Sequence, residues 1–390
     1  MNKQLRTRTA IALAGAFGIA QAAPPAFALT GPAKTVTVAC GEIISTSLTL
    51  ANNLTCTGTA LTISASNVDL NLGTHTISGT VAIVAPSSGN SLTGDTVENG
   101  TITGTAVAIS LSGTKITTLS RLTLADNGLS TSKVINPATA SGLLVEHSKI
   151  SGGSGAVVST SSTYMQAFTA SYDTVQSGSI ELVNGVGGSF SYDKFTGASL
   201  TLDEEGGDTV ANSVFTNSPV IDEGSYSGDT FKTNTMSGAS VGLLLEGPSG
   251  IQVTGNTFST DNIGLMVVGA VPSPSGDTVT GNHFTSNKTA GAYVNEPNSS
   301  VGGYGKMSFT GNTLSRNGSA PDGTVDAGHN PVAGGFHVYL PGGDVTVSTN
   351  TSSRNNGYGI WSVTGTASGT GNVSTADQNK CAPLTLCTYK

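Results

Sequence analysis

Asn256-Thr-Phe258, Asn282-His-Phe284 and Asn312-Thr-Leu314 are three copies of one short pattern: an amide residue, a spacer and an apolar residue. Looser copies precede them, and these are Asp173-Thr-Val175, Asp193-Lys-Phe195, Asn212-Ser-Val214 and Asp229-Thr-Phe231. Successive copies lie 20, 19, 17, 27, 26 and 30 residues apart. Such a step is typical of a solenoid, in which each coil buries its apolar face against its neighbours.

A second element recurs between these copies: a short strand, usually opened by glycine, with apolar residues at alternate positions. Its copies are Gly242-Leu-Leu-Leu-Glu246, Gly264-Leu-Met-Val-Val268, Gly291-Ala-Tyr-Val-Asn295, Gly335-Phe-His-Val-Tyr339 and Gly359-Ile-Trp-Ser-Val363. Period two indicates strands, and a charged content of only 10% argues against long helices. The sequence therefore predicts a single-domain, all-β solenoid.

The Asn and Asp positions of the pattern have a structural interpretation. Their side chains hydrogen-bond to nearby backbone and tolerate the left-handed conformation that a tight corner needs. Stacked at equivalent corners, they also extend hydrogen bonding along the axis. We therefore expect these residues to build the fold rather than to carry chemistry.

The first coils carry a family resemblance. The stretches that carry it are Cys40-Gly-Glu-Ile43, Leu48-Thr-Leu50, Leu54-Thr-Cys56 and Asn67-Val-Asp-Leu-Asn-Leu-Gly-Thr-His75. They resemble the opening coils of secreted right-handed parallel β-helix repeat proteins of the pectate-lyase-like superfamily. The resemblance implies a right-handed parallel β-helix over about residues 35–375 and says little about function, because such folds host lyases, hydrolases and epimerases.

The two ends of the chain differ from the coils. Lys3, Arg6 and Arg8 precede an apolar run that ends at the A-x-A site Ala26-Phe27-Ala28, which predicts a signal peptide and secretion. We expect a signal peptide at 1–28, an N-terminal cap at 29–56, the β-helix at 57–375 and a C-terminal cap at 376–390. The apolar run is too short for a permanent membrane anchor.

Charge and cysteine content limit the partners. The chain after residue 28 has 13 basic and 24 acidic residues, a net charge of −11. This disfavours nucleic acid and polyanionic substrates. Four cysteines form two close pairs, Cys40/Cys56 and Cys381/Cys387; three pairings are conceivable, and the spacing favours the two local disulfides. We expect a monomer.

Strand alternation predicts a row of aromatic side chains on one outer face. If Leu265 and Val267 face the core, the register turns outward the residues Tyr293, Asn295, His337, Tyr339 and Trp361. Aromatic rings beside amides form a surface on which sugar rings stack. The alternative is that a loop or the C-terminal tail covers the row.

The coil between Leu314 and Gly335 carries a long insertion, and long loops on a tight solenoid are often functional. As a general acid and base in one pocket we single out Asp326, His329, His337 and Asp344. Arg316 and Arg354 follow equivalent serines in successive coils and are candidates for a substrate clamp. The alternative is that polar residues simply gather in an exposed loop.

Acidic residues offer a candidate Ca²⁺ site, the only cofactor for which the sequence suggests ligands. The carboxylates lie about one coil apart, at Asp203, Glu204, Asp222 and Glu223. They are equally consistent with a solvated negative edge. The family's polygalacturonase and pectate lyase motifs are absent apart from Gly328-His329.

The sequence thus favours a secreted, carbohydrate-directed β-helix protein that binds an extracellular polysaccharide. If it cleaves that polysaccharide, it is a lyase or a glycoside hydrolase. The alternative is a non-catalytic extracellular solenoid with a structural or adhesive role.

Overall fold

A computed structural model of the protein describes the residues 33–86, 90–104, 106–126, 133–159, 167–183, 187–203, 206–223, 228–269, 276–295, 306–341, 344–365 and 367–389. The predicted signal peptide at 1–28 and the acidic residue Glu204 lie outside these ranges. From Lys34 onward the chain forms one unit. The predicted right-handed parallel β-helix is confirmed, with about 13 turns.

The elements are short strands throughout, numbered in chain order. The first are β1 Lys34–Val36, β2 Glu42–Ile44, β3 Leu48–Leu50, β4 Leu54–Ile63, β5 Asp69–Asn71, β6 Thr76–Val84, β7 Leu92–Thr103, β8 Val107–Ser112, β9 Thr114–Ala125, β10 Lys133–Asn136, β11 Leu143–Glu146 and β12 Lys149–Ser159. The middle ones are β13 Thr169–Ser171, β14 Thr174–Val183, β15 Ser189–Ser191, β16 Lys194–Thr196, β17 Ser199–Asp203, β18 Thr209–Ala211, β19 Val214–Thr216, β20 Val220–Glu223, β21 Thr230–Lys232, β22 Thr235–Ser237, β23 Val241–Glu246 and β24 Gln252–Thr254. The last are β25 Thr257–Ser259, β26 Ile263–Val268, β27 Asp277–Thr280, β28 His283–Thr285, β29 Ala290–Asn295, β30 Lys306–Thr310, β31 Thr313–Ser315, β32 Gly334–Tyr339, β33 Asp344–Ser348, β34 Thr351–Ser353, β35 Tyr358–Ser362, β36 Asn372–Thr375 and β37 Cys387–Tyr389, with a 3-10 turn at Leu384–Leu386 before β37.

Parallel pairing between successive coils produces three long sheets. The first sheet contains β2, β8, β10, β17, β20, β23, β26, β29, β32 and β35. The second contains β1, β3, β5, β11, β13, β15, β18, β21, β24, β27, β30 and β33, and the third contains β16, β19, β22, β25, β28, β31, β34, β36 and β37. The longer strands β4, β6, β7, β9, β12 and β14 bend around corners and pair in two of the sheets.

Side chains that point inward stack coil upon coil into one continuous core. Phe195 lies on Phe215 with ring centroids 4.7 Å apart, and Phe258 lies on Phe284 at 4.9 Å. These distances match the spacing of about 4.8 Å between neighbouring strands. Each coil therefore depends on its neighbours for burial of its apolar face, as a solenoid requires.

A ladder of buried amides joins the coils at the corner before the third sheet. The backbone N–H groups of Asn256 and Asn282 donate to the Oδ1 atoms of Asn282 and Asn312, each at 2.8 Å. Asn312, Asn350 and Asn372 continue the series in the same way. The predicted hydrogen bonding along the axis is confirmed.

The structure corrects three details of this ladder. The residue with positive φ is the one before the buried amide, as at Gly255 before Asn256, because it is there that the chain turns from the second sheet to the third. At one coil the ladder residue is Ser213 and not Asn212, which has a φ of 54° and is exposed. Asp229 belongs to another corner, where its Oδ1 accepts the N–H of Asp208.

The ends of the β-helix carry the two predicted local disulfides, Cys40–Cys56 and Cys381–Cys387, which are confirmed. Near the first disulfide, β1 pairs with β3 and β2 with β4, so residues 34–63 already form coils. Near the second, β37 extends the third sheet beyond β36. No helix in the described part of the chain is long and apolar enough to span a membrane.

Removal of one rung of the amide ladder should destabilise the fold. In Asn282→Ala, the N–H of Asn256 loses its acceptor and the carbonyl of Val253 loses a donor, both in the buried interior. We expect a loss of about 3 kcal/mol, since each buried polar group left unpaired costs about 1–3 kcal/mol. Urea unfolding followed by circular dichroism measures it.

The matched control is Asn212→Gly, which removes an exposed amide at a corner residue with a φ of 54° that glycine adopts freely. Its free energy of unfolding should stay within about 0.5 kcal/mol of the parent's. Equal losses in the two variants would show that the ladder is not what joins the coils.

Aspartate takes the place of asparagine in the earlier coils of the same ladder. Asp193 is buried, its Oδ1 accepts the N–H of Asp173, and its Oδ2 has no hydrogen-bond partner among the described residues. Burial raises the pKa of Asp173 to about 8 and that of Asp193 to about 7. Both carboxyls are therefore protonated in the folded protein at a pH that ionises them in the unfolded chain.

Asp193→Asn should therefore stabilise the protein in alkaline but not in acidic solution. Because the pKa of Asp193 is higher in the folded protein than in the unfolded chain, this carboxyl contributes fully to stability below about pH 4. That contribution is lost as the pH rises through about 7. Asparagine is neutral at every pH, so we expect a higher thermal midpoint at about pH 9 and little change at about pH 4. The reverse substitution, Asn234→Asp, should introduce the same pH dependence; identical midpoints for all three proteins would contradict this.

Candidate functional site

The predicted outward row lies on the first sheet. Strand pairing stacks Met266, Tyr293, His337 and Trp361 in one column along the axis, and Asn295 and Tyr339 in the next column. Leu265 and Val267 face the core, as expected. The predicted register is therefore confirmed over these four coils.

A segment of the insertion lies across this row. This segment, residues 319–333, is called the covering loop below. Its Val332 packs with Ile263, Ala290 and Tyr293 in a small apolar cluster outside the sheet. Tyr293 and His337 are consequently buried, with exposed fractions of 1% and 0%, whereas Tyr339 and Trp361 are half-buried. The sequence left open whether the row is an exposed surface or is covered by a loop. At Tyr293 and His337 it is covered.

Contacts with three coils hold the covering loop in place, and those with the first two are polar. The Asp322 carboxylate accepts hydrogen bonds from Asn262 Nδ2 and Thr289 Oγ1, and the Asn295 amide oxygen accepts the N–H of Ala327 at 3.2 Å. The hydroxyl and then the N–H of Thr324 lower the pKa of Asp322 to about 2. Gly328 lies against the ring of Tyr339, where a Cβ atom would come within 2.6 Å of Cε2.

Asp326 and His337 meet at the centre of the buried interface between the loop and the sheet. Nε2 of His337 lies 2.9 Å from Oδ2 of Asp326, and neither side chain is exposed. Oδ1 of Asp326 accepts the N–H groups of Gly328 at 2.9 Å and Asn330 at 2.8 Å. Sequence reasoning selected both residues, and the structure brings this one pair of the four candidates into contact.

Burial and hydrogen bonding decide the protonation states of Asp326 and His337. Burial alone would raise the pKa of Asp326, but hydrogen bonds from Asn330 and His337 hold it below its ordinary value. Burial lowers the pKa of His337, and Asp326 offsets this only in part. The closed loop thus favours an ionised carboxylate beside a neutral imidazole.

The other two acid and base candidates lie elsewhere. His329 is exposed in the covering loop, where its backbone N–H donates to the Asp326 carbonyl at 2.9 Å. Asp344 begins β33 on the second sheet, opposite Lys306 of β30. The expectation that all four share one pocket is therefore corrected, because the insertion turns back onto the first sheet and β33 belongs to the second.

Arg316 and Arg354 do occupy equivalent corner positions. The N–H of Arg316 donates to the carbonyl of Ser353, which precedes Arg354, and both arginines are exposed with φ values of 58° and 56°. This corner precedes the covering loop in the chain. Neither arginine forms an ion pair in the described part of the protein.

The acidic candidates divide between two faces of the first sheet. Asp203, Glu223 and Glu246 stack in one outward column, whereas Asp222 stands between Leu202 and Leu245 and is buried. Burial raises the pKa of Glu223, and the charges of Asp203 and Glu246 add to this. The expectation of a shared Ca²⁺ site with Asp222 is corrected by strand alternation. Within the described residues no three His, Cys, Asp or Glu side chains are grouped to hold a metal ion.

Sequence reasoning missed an exposed aromatic ridge, formed by His147, Tyr172 and Tyr192 at the corner before the third sheet. The rings of His147 and Tyr172 stack with centroids 5.0 Å apart and planes within 9°, and those of Tyr172 and Tyr192 at 4.9 Å and 4°. The two tyrosines are 54% and 53% exposed. The signal was present in the sequence as Ser171-Tyr-Asp173 and Ser191-Tyr-Asp193, one coil apart.

The ridge follows from the ladder. All three residues immediately precede a ladder residue and have φ values between 52° and 61°, the conformation that turns the chain at this corner. A corner side chain in this conformation points away from the core, and equivalent side chains stack coil upon coil. Toward one end of the ridge, the next corner residue is Arg121, which pairs with Glu98; toward the other it is Asn212.

Comparison with known proteins gives a family match over part of the chain. The model of a family described as "Periplasmic copper-binding protein (NosD)" matches residues 150–330, rather less than half of the protein. No curated protein sequence matches the chain.

Several solved structures are similar in shape. Tailspike protein 3 of bacteriophage CBA120 has a TM-score of 0.48 and 12% identity, over 88% of this chain and 54% of that chain. The Dettilon tailspike protein has a TM-score of 0.41 and 15% identity, over 81% of this chain and 62% of that chain. The A-module of a mannuronan C-5 epimerase from Azotobacter vinelandii has a TM-score of 0.28 and 14% identity, over 90% and 91%. The chain thus spans little more than half of the length of the two tailspike chains.

Copper does not fit the side chains of the matched segment. Copper prefers thiolate, thioether and imidazole ligands. Residues 150–330 contain no cysteine, and their two histidines, His283 and His329, lie on the third sheet and in the covering loop. Of the methionines that the structure describes there, Met236 and Met307 are buried in the core and Met266 lies in the outward row, apart from both histidines. The four cysteines of the chain are all in disulfides. We therefore derive no copper chemistry for this protein.

Proposed function

We propose that this chain is an exported carbohydrate-binding protein, and that the aromatic ridge of His147, Tyr172 and Tyr192 is its binding surface. The observation that carries this proposal is the exposure of two stacked tyrosines over about half of their surface. Single exposed aromatic residues are ordinary, but an aligned stack on three successive coils is not.

The chemistry of the ridge suits a sugar chain. Aromatic rings offer apolar surface to the C–H groups of sugars, while the phenol and imidazole groups offer hydrogen bonds at the rim. The ridge runs along the helix axis with a repeat of about 5 Å, so it offers an extended chain several equivalent contacts. The net charge of −11 on the chain after residue 28 favours a neutral polysaccharide over a polyanion.

Backbone strain supports a functional role for these rings. Bulky side chains with positive φ are uncommon and cost about 1–2 kcal/mol relative to glycine. Later coils of the same corner use Asn212, Thr233 and Gly255, so the corner does not itself require an aromatic residue. The tyrosines therefore occupy a costly conformation without contributing to the core.

Binding is favoured over cleavage. Asp326 and His337, the only two acid and base candidates in contact, are both completely buried beneath the covering loop. A general acid must reach the glycosidic oxygen within hydrogen-bond distance. With the loop closed, neither side chain can do so.

Export fits the disulfides. Two disulfides are typical of a protein that folds in an oxidising compartment such as the periplasm or the extracellular space. The predicted signal peptide agrees with that location. Secretion beyond the cell envelope is part of the proposal.

The double substitution Tyr172→Asn and Tyr192→Asn should abolish most of the binding. Asparagine tolerates positive φ, so the corner itself should be preserved. Loss of two rings at about 1 kcal/mol each weakens binding roughly 30-fold. Titration of the protein, residues 29–390, with neutral plant, fungal and bacterial polysaccharides measures the change.

Tyr389→Asn is the matched control, since Tyr389 is also exposed but lies at the far end of the β-helix. It should bind like the parent. Equal binding by the ridge variant would place the site elsewhere, and no binding of any polysaccharide by the parent would favour the structural or adhesive role. New reducing ends or unsaturated products would show cleavage and contradict a purely binding role.

A further inference from the structure

The covering loop closes over a surface that resembles a binding site. Beneath it lies the outward row Met266, Tyr293 and His337, and Trp361 continues the row beyond. His337 meets Tyr293 edge-on at 5.5 Å and Trp361 edge-on at 4.8 Å. An apolar row with aromatic rings on an outer face is unusual unless something covers or binds it.

We propose that the covering loop is released in acid, and that its release uncovers Tyr293 and Met266, which with Trp361 form a second carbohydrate-binding row. The ligand part of this inference rests on the proposed function. The release of the loop is a property of the chain alone and is tested without any ligand.

The geometry of His337 makes the closed loop sensitive to protons. Its Nε2 faces Asp326, while its Nδ1 is buried and has no hydrogen-bond partner among the described residues. A neutral imidazole tolerates this, because an unpaired acceptor nitrogen carries no charge. Protonation of Nδ1 would create a buried charged donor without an acceptor, which is costly.

The groups around His337 do not remove that cost. Asp326 faces it from the loop, Tyr293 from the preceding coil and Trp361 from the following coil. Asp326 is already held by the N–H groups of Gly328 and Asn330. Tyr293 is kept protonated, since burial and then the charge of Asp326 raise its pKa, and Trp361 does not titrate.

The sign of the pH dependence follows from these shifts. The pKa of His337 is lower in the closed state than its ordinary value of 6.5, so closure is fully favoured above pH 6.5 and weakens as the pH falls below it. The pKa of Asp326 is also lowered, so its protonation in stronger acid acts in the same direction. Both groups therefore favour an open loop in acid.

Trp361 is the only tryptophan of the chain and meets His337 edge-on, so its fluorescence reports changes beside that histidine. We expect acrylamide to quench its fluorescence more strongly as the pH falls, with a midpoint below 6.5. Hydrogen exchange of the segment 319–333, corrected for the intrinsic pH dependence, should lose protection over the same range. Residues of the amide ladder should keep theirs.

Two variants separate the buried histidine from other titrations. His337→Gln retains an amide donor for Asp326 and removes the imidazole, so its loop should open only in the stronger acid that protonates Asp326. His329→Asn removes the exposed histidine of the same loop at a φ of 62°, which asparagine tolerates, and should open like the parent. A transition at the parent's pH in His337→Gln, or a parent loop that stays protected throughout, would overturn the inference.

The ligand part has its own readout in the ridge variant Tyr172→Asn/Tyr192→Asn. If the row binds sugar, this variant should regain polysaccharide binding in acid and lose it again when Trp361→Ala is added. Loop opening without regained binding would overturn the second site, whereas absence of binding by the parent at any pH would overturn the proposed function instead.

Discussion

The structure depends on one interaction, the hydrogen bond from the backbone of one coil to a buried Asn, Asp or Ser side chain of the next. At the corner before the third sheet these bonds form a continuous series from the N–H of Leu122, which donates to Ser148, to that of Asn350, which donates to Asn372. A corner interrupts the regular pairing of strands, and the N–H groups there would otherwise be buried without acceptors. The ladder supplies the acceptors and fixes the register between coils.

The same corner creates the exposed ridge. A chain that turns inward to place Asp173 or Asp193 in the ladder must turn outward at the residue before it. That residue points away from the core, and the fixed register stacks it on its equivalents. One backbone constraint thus explains both the buried carboxyls, with their raised pKa values, and the exposed stack of His147, Tyr172 and Tyr192.

Most of the fold was predictable because it follows from short-range periodicity. Alternation placed Leu265 and Val267 inside and Met266 and Tyr293 outside, and cysteine spacing gave both disulfides. Asp229 was assigned to the wrong corner, because more than one corner of a coil can carry a polar residue shortly before an apolar one, and the ladder residue beside Asn212 is Ser213. A pattern of three residues cannot tell those corners apart.

The site was less predictable because it depends on contacts between distant coils. Sequence alone placed Asp326 near His337 but could not show that the covering loop would turn its carboxylate inward and leave His329 exposed. The position of the loop depends on the packing of Val332 against Ile263 and Ala290, and on the hydrogen bond between Asp322 and Asn262, 60 residues earlier. Burial decides the role of Asp326 and His337. The Asp326 carboxylate accepts several hydrogen bonds that stabilise the closed loop, and it is not accessible to a substrate in solution. On an open face the contact between Asp326 and His337 would suit a catalytic dyad; here it holds the covering loop against the first sheet.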